Sequence, residues 1–288
     1  MRTKNIFIFT ENLNFFYRVN KELIRLNIKF DILNVRNTVP IRLSIVLTTS
    51  EEIHKLEKTY EKLIILPYSN EDNFNHYILK ILAIYKIGFK SHYSELTFSI
   101  DPGTTQIGIA VFLDDFFLQS HTIYEKKKVM KIINDYIICF QNEDSNLQNL
   151  NFKIGSGVKF IVIDLIKQIY SKFKNRKSMK VYLIDESYSS KIRIQDKNKF
   201  KRSKHEISAL IIALREGFEV NPNDYYQIIR TNKFQITNNN NQEDMIFFNI
   251  KEREKKVVEI IKKILKNNIS LTNSSIILKE FNSNNPSI

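Results

Sequence analysis

With 288 residues, 43% of them apolar, and no run of about 18 apolar residues, the chain has the length for two domains and no segment to span a membrane. Its net charge of +13 favours a polyanionic partner, although the abundance of Lys, Asn and Ile, as AT-rich coding produces, dilutes that signal. The lone cysteine, Cys139, excludes an intrachain disulfide framework and a cysteine-rich zinc site.

Met1-Arg-Thr-Lys-Asn runs straight into Ile6-Phe-Ile-Phe, an apolar run too short for a signal peptide and without a cleavage-like site, so a cytoplasmic protein is expected. Apolar spacing then predicts strands at Asn5–Thr10, Lys29–Asn34, Ile41–Thr48 and Leu63–Leu66, and helices at Asn12–Leu26, Glu51–Thr59 and Asn70–Ile87. Strands alternating with helices imply a small α/β domain with a largely parallel sheet over residues 1–92. Glycine is absent before Gly88, so nothing here supports a dinucleotide-binding phosphate loop.

A polar junction, Gly88–Ser94, leads to a second domain over 93–220. Leu96–Ile100, Ile107–Leu113 and Phe116–Tyr124 read as a three-strand meander, followed by a helix at Lys126–Phe140. Phe152–Ile154 reads as a short strand entering Gly155-Ser-Gly157, and a helix follows over Val158–Phe173. Lys180–Asp185 is the next strand, and a last helix runs from His205 to a glycine stop at Gly217. Residues 221–288 form a C-terminal extension with a polar break at Asn238–Asn241, a basic amphipathic helix over Lys251–Lys266 and a further helix at Leu271–Phe281.

Three polar clusters stand at element ends of the second domain. Asp101 sits where an apolar strand breaks into Pro-Gly-Thr-Thr, a place suited to a divalent cation or to a bound phosphate. Asp185-Glu186 closes a later strand. His205-Glu206 opens the last helix, whose remainder, Ile207–Leu214, is almost wholly apolar and must be buried. His205, Ser208 and Ile212 share one helical stripe, so the imidazole can face the edge that carries the strand-end carboxylates. Carboxylates and an imidazole on one edge suit one or two hard cations and phosphodiester hydrolysis. Between the last two clusters lie Lys191, Arg193, Lys197, Lys199, Lys201, Arg202 and Lys204, opposed only by Asp196, a basic stretch suited to a phosphate backbone.

The stretches Ile100-Asp-Pro-Gly-Thr-Thr-Gln-Ile-Gly-Ile-Ala-Val111, Leu183-Ile-Asp-Glu-Ser-Tyr-Ser-Ser190 and His205-Glu-Ile-Ser-Ala-Leu-Ile-Ile-Ala-Leu214 make residues 95–217 resemble the RNase H-like nuclease superfamily, in its RuvC/YqgF branch of Holliday-junction-resolvase-type proteins. The resemblance implies an RNase H-like mixed sheet with flanking helices, preceded by the small α/β domain and followed by the helical tail. It implies a metal-dependent endonuclease for branched DNA or structured RNA, with Asp101, Glu186 and His205 holding two Mg²⁺ or Mn²⁺ ions, and a homodimeric form. Asp185, Glu206, Ser208 and Thr104 are its accessory positions. Ser208 stands where the family has a further acid, and serine is a poor metal ligand. A degenerate domain that binds nucleic acid without cutting it is therefore the alternative. An actin-like ATPase relative is a third reading, because Asp-x-Gly-Thr-Thr also opens that group's phosphate loop; residues 1–92 hold no matching second signature.

Overall fold

The computed structural model describes residues 5–33, 44–56, 63–141, 149–173, 176, 178–185, 202–222 and 243–284, with side chains described from 254 to 283 in the last stretch. The chain divides into two compact units, Met1–Ser91 and His92–Ile288.

The first unit contains β1 (Asn5–Ile8), α1 (Leu13–Arg25), β2 (Asp31–Ile32), β3 (Ser44–Thr49), a 3-10 turn (Ser50–Lys55), β4 (Leu63–Tyr68) and α2 (Phe74–Lys86). Its sheet is wholly parallel in the order β2-β1-β3-β4. Both helices begin on asparagine caps, Asn12 accepting from Phe15 N–H and Asn73 from Asn75 and His76 N–H. The helix expected at Glu51–Thr59 is instead the short 3-10 turn, and residues 57–59 lie outside the described residues. Glu52 accounts for the tight winding, since its buried carboxylate accepts from the Thr10 hydroxyl at 2.5 Å, the Thr49 hydroxyl at 2.7 Å and Glu11 N–H at 2.5 Å. Burial opposes its ionisation, but these hydrogen bonds and the Lys55 charge outweigh it and hold the carboxyl below its ordinary range. A parallel sheet takes ligands where its strand order reverses, here between β1 and β3. Glu52 joins the ends of those two strands.

The second unit contains β5 (Glu95–Pro102), β6 (Ile107–Leu113), β7 (Phe116–Ile123), α3 (Lys127–Phe140), β8 (Asn149–Gly155), α4 (Lys159–Phe173), β9 (Met179–Ile184), α5 (Lys204–Leu214), β10 (Phe218–Glu219), α6 (Glu243–Leu265) and α7 (Leu271–Asn284). Its mixed sheet has the order β10-β9-β8-β5-β6-β7. The strands β5, β8 and β9 are mutually parallel, and β6 runs against both β5 and β7. Alternation along β5 divides the core between two faces. Phe98 stacks on Phe152 and meets Tyr136 of α3, and Phe152 stacks on Phe173 of α4. On the other face Ser99 donates to the Ala209 carbonyl of α5 at 2.7 Å.

Helix α5 is buried at every residue from Ile207 to Leu214, as its composition requires. The tail covers its outer side: Val257, Ile260, Ile261, Ile264 and Leu271 share a cluster with Leu210, Ile211, Leu214, Phe112 and Phe117. The hairpin turn Asp114–Asp115 fixes that arrangement. Both residues have positive φ, 46° and 73°, in a two-residue turn between β6 and β7. Asp114 accepts from Ser94 and Glu95 N–H, while the Asp115 carboxylate accepts from Thr272 N–H at 3.0 Å and caps α7 from a distant part of the chain.

Helix α5 stops at Leu214 rather than Gly217, and β10 follows, a strand the sequence did not announce. Gly217 is needed for space: a Cβ there would lie 2.2 Å from Ile184 Cδ1 and 2.7 Å from the Leu183 carbonyl oxygen. The polar break at 238–241 lies outside the described residues. Among the described residues, no helix is long and apolar enough to cross a membrane.

Replacing Asp115 with alanine removes the α7 cap and leaves a Cβ residue at positive φ without a carboxylate. D115A is expected to cost about 1–3 kcal/mol in urea unfolding, with D115N nearer to the parent. A D115A chain as stable as the parent would contradict the capping role.

Candidate active site at the carboxyl edge of the central strands

Asp101 is the penultimate residue of β5 and lies on the same face as Ser99, towards α5. Strand pairing places it in one row with Gly108 of β6 and Thr122 of β7. Parallel pairing of Ile100 with Ile154, and of Ile154 with Leu183, brings the ends of β5, β8 and β9 to the same edge. Ser156 N–H donates to the Ile184 carbonyl at 2.9 Å and ties the Gly155-Ser-Gly157 turn to that edge. Asp185 leaves it two strands away from Asp101, about 10 Å at ordinary strand spacing.

The first turn of α5 meets this edge closely. His205 Nδ1 lies 2.8 Å from Asp101 Oδ2, with side chains 27% and 11% exposed. Two glycines of the Asp101 motif make the approach feasible. A Cβ at Gly108 would lie 2.0 Å from the His205 carbonyl oxygen, and one at Gly103 would lie 2.8 Å from His205 Cε1. Gly108 serves helix docking, as a glycine within a strand often does, while Gly103 is held first by its own turn, where a Cβ would lie 2.2 Å from the Gln106 carbonyl oxygen.

Glu206 points away from Asp101. Its carboxylate accepts from the Ser120 hydroxyl at 2.6 Å and the Thr122 hydroxyl at 2.7 Å, both on β7. Its backbone N–H donates to Ser203 Oγ, the helix cap, at 3.1 Å. Thr122 and Ser203 hydroxyls are 2.5 Å apart, so Ser203 donates to Thr122 while Thr122 donates to Glu206. The far end of α5 is held as well, with Lys153 Nζ of β8 donating to the Ala213 and Arg215 carbonyls at 2.6 and 3.0 Å. Burial pushes that ammonium down to about 8 against the pull of Glu216, Asp115 and Glu95.

Burial raises the Asp101 carboxyl above its ordinary range. The His205 hydrogen bond, and the His205 and Lys204 charges, pull it down without restoring the ordinary value. A divalent cation would reverse that balance.

Among the sequence candidates, Asp101 and His205 come together. Ser208 is buried, and Thr104 is exposed in the turn. Asp185 is exposed, its carbonyl accepting from the Arg215 guanidinium. Arg202 packs 5.6 Å from the Phe117 ring centroid, and Lys204 opens α5. Glu186, Lys191, Arg193, Lys197, Lys199 and Lys201 lie outside the described residues. Among the described residues, no three His, Cys, Asp or Glu side chains gather to hold a metal ion, and Asp101 with His205 supplies one carboxylate and one imidazole. That pair suits one hard cation as a partial ligand set. Two features escaped sequence reading despite visible signals: the Ser203-x-x-Glu206 capping-box spacing and Lys153 set between Phe152 and Ile154.

Two outcomes follow. E206A is expected to lose about 2 kcal/mol in urea unfolding, E206Q less than half of that, and E206A alone should broaden the His205 imidazole ¹⁵N signals; unchanged stability and signals in E206A would remove the clamp role. Because the folded carboxyl of Asp101 is raised, the native state holds its proton longer than the unfolded chain, and stability falls as pH rises from the ordinary carboxylate range through the raised value. Thermal melts should therefore show D101N gaining on the parent across that window, and a pH-independent difference would refute it.

Set against known proteins, the sequence matches no family model and no curated protein.

Proposed function

We propose that the second unit is a metal-dependent, structure-selective endonuclease of the RNase H-like, RuvC/YqgF type, hydrolysing phosphodiester bonds in branched DNA or structured RNA. The observation that carries this reading is the 2.8 Å contact of His205 with Asp101 at the edge where three parallel strands end. The order of a three-strand meander, helix, strand, helix, strand and helix along the chain supports it. The basic excess fits a polyanionic substrate.

In this reading Asp101 and His205, with Glu186, hold Mg²⁺ or Mn²⁺, which when bound lowers the pKa of water and stabilises the leaving oxygen. The residues have their own tasks. With Asp101 ionised, its Oδ2 accepts from Nδ1–H of His205 and orients the ring; the two side chains could serve one cation only through that same Oδ2 and Nδ1, once the ring proton has left. The buried Asp101 carboxylate holds the half-buried imidazole by this hydrogen bond. The Lys204 charge draws the phosphate to the first turn of α5, and a homodimer is the proposed form on a two-fold-symmetric four-way junction.

A specific observation favours a second reading. Ser208 is buried where the resemblance puts an acid, and the nearby Glu206 is engaged by β7 hydroxyls, so the domain can be a nucleic-acid binder without catalysis. The ATPase reading draws less support, because the first turn of α5 crowds the glycines where a phosphate would be cradled.

Four-way-junction DNA and hairpin RNA, each with Mg²⁺ or Mn²⁺, test the proposal. Cleavage is expected with at least one substrate, falling about 10²-fold or more in D101N and in H205A. Unchanged cleavage in D101N overturns the assignment of the site, and tight binding without cleavage under both ions selects the second reading.

A further inference from the structure

We propose that the rim bearing Tyr124, Lys126 and Phe160 is a stacking site for unpaired nucleotides, through which a single-stranded segment of nucleic acid reaches Asp101 and His205. The inference rests on the phosphodiester reading above and adds the substrate class.

Tyr124 is 71% exposed and Phe160 63% exposed. Aromatic side chains carry a large apolar area and are mostly covered in folded domains, so two exposed rings on one rim invite a flat partner. Their place in the fold is set by strand direction. Strand β7 runs the same way as β5, since both are antiparallel to β6, and Tyr124 directly follows its last residue. Thr122, two residues earlier, shares a row with Asp101. Phe160 belongs to the first turn of α4, just after the Gly155-Ser-Gly157 turn that ends β8 at the same edge. Lys126 joins the two loops, its Nζ lying 5.1 Å from the Phe160 ring centroid.

The surrounding charge fits the backbone of such a segment. Lys126, Lys127, Lys128 and Lys159 are exposed around the rings, and Glu125, the acid among them, is paired with Lys128 at 2.6 Å. Rings interleaved with lysines are the surface that binds single strands with little sequence preference: phosphates meet ammonium groups and base faces meet rings. In a duplex the base faces are already stacked on one another, so the surface favours unpaired bases. A lysine resting on an aromatic face leaves that face when a base takes its place, and the ammonium then meets the adjoining phosphate.

The chain contains no tryptophan, so F160W places a single reporter on the rim. Fluorescein-labelled 12-nucleotide DNA and RNA strands, and the blunt duplexes of the same sequence, are titrated in EDTA, where no cleavage can occur. Single strands are expected to quench F160W emission. F160A and Y124A should each weaken single-strand binding about tenfold or more while duplex binding changes less than about twofold, and K126A should lower the salt slope by about one. The DNA and RNA arms identify which strand is preferred. Unquenched F160W at saturating oligonucleotide, or equal loss of single-strand and duplex binding in F160A and Y124A, overturns the proposal. Because these arms need no catalysis, a protein that binds as expected but never cuts leaves the stacking site standing and removes only the hydrolase reading.

Discussion

The docking of helix α5 on the sheet is the constraint on which the second unit depends. A helix that is apolar on all sides needs a cover on each, and here the sheet supplies one side and the helices of the tail the other. Its ends cannot be treated the same way, because the terminal N–H and C=O groups lack partners within the helix. Ser203 caps the first turn, and the Glu206 carboxylate secures that turn to the Ser120 and Thr122 hydroxyls. Lys153 takes two carbonyls at the last turn. The signs follow the helix macrodipole, carboxylates at the positive end and an ammonium at the negative end.

This fixation has a consequence at Asp101. A carboxylate pressed under the first turn of a buried helix loses water, and that loss raises its pKa. Gly108 makes the pressure feasible by omitting the Cβ that would strike the His205 carbonyl. The burial of Asp101 thus comes with a cost to the folded state that the His205 contact offsets in part, and perturbed acids of this kind gather at functional sites more often than elsewhere. Glu52 in the first unit is the instructive contrast. It is also buried, yet three hydrogen bonds satisfy it and its carboxyl is lowered rather than raised. Three hydrogen bonds hold Glu52 ionised, whereas Asp101, with His205 as its side-chain partner, keeps its proton more readily.

Much of this was legible in the sequence because it follows from periodicity and from punctuation. The meander from Leu96 to Ile123, the helices on either side of β8, and the meeting of Asp101 with His205 all come from strand alternation and the helical stripe of His205 and Ser208. The departures share one physical cause, contacts between segments far apart in the chain. The 3-10 turn at Ser50–Lys55 forms because Glu52 reaches Thr10, which no local window contains. Gly217 reads locally as a helix stop, but the close approach of β9 requires it. The tail reads as an appendage until Asp115 is seen capping α7.

The same geometry decides what the acid count of α5 means. Successive residues turn about 100° around a helix axis, so an acid beside His205 in sequence faces a different neighbour from an acid three residues on. Glu206 faces β7 and its hydroxyls, and Ser208 keeps to the stripe of His205. Transferring the carboxylate of Glu206 to the Asp101 edge would require rotating the helix, and the Gly108 contact and the Lys153 cap both oppose rotation. The polar groups that α5 turns towards Asp101 therefore come from the stripe of His205 and Ser208, while Glu206 acts on that edge only by anchoring the turn that carries His205.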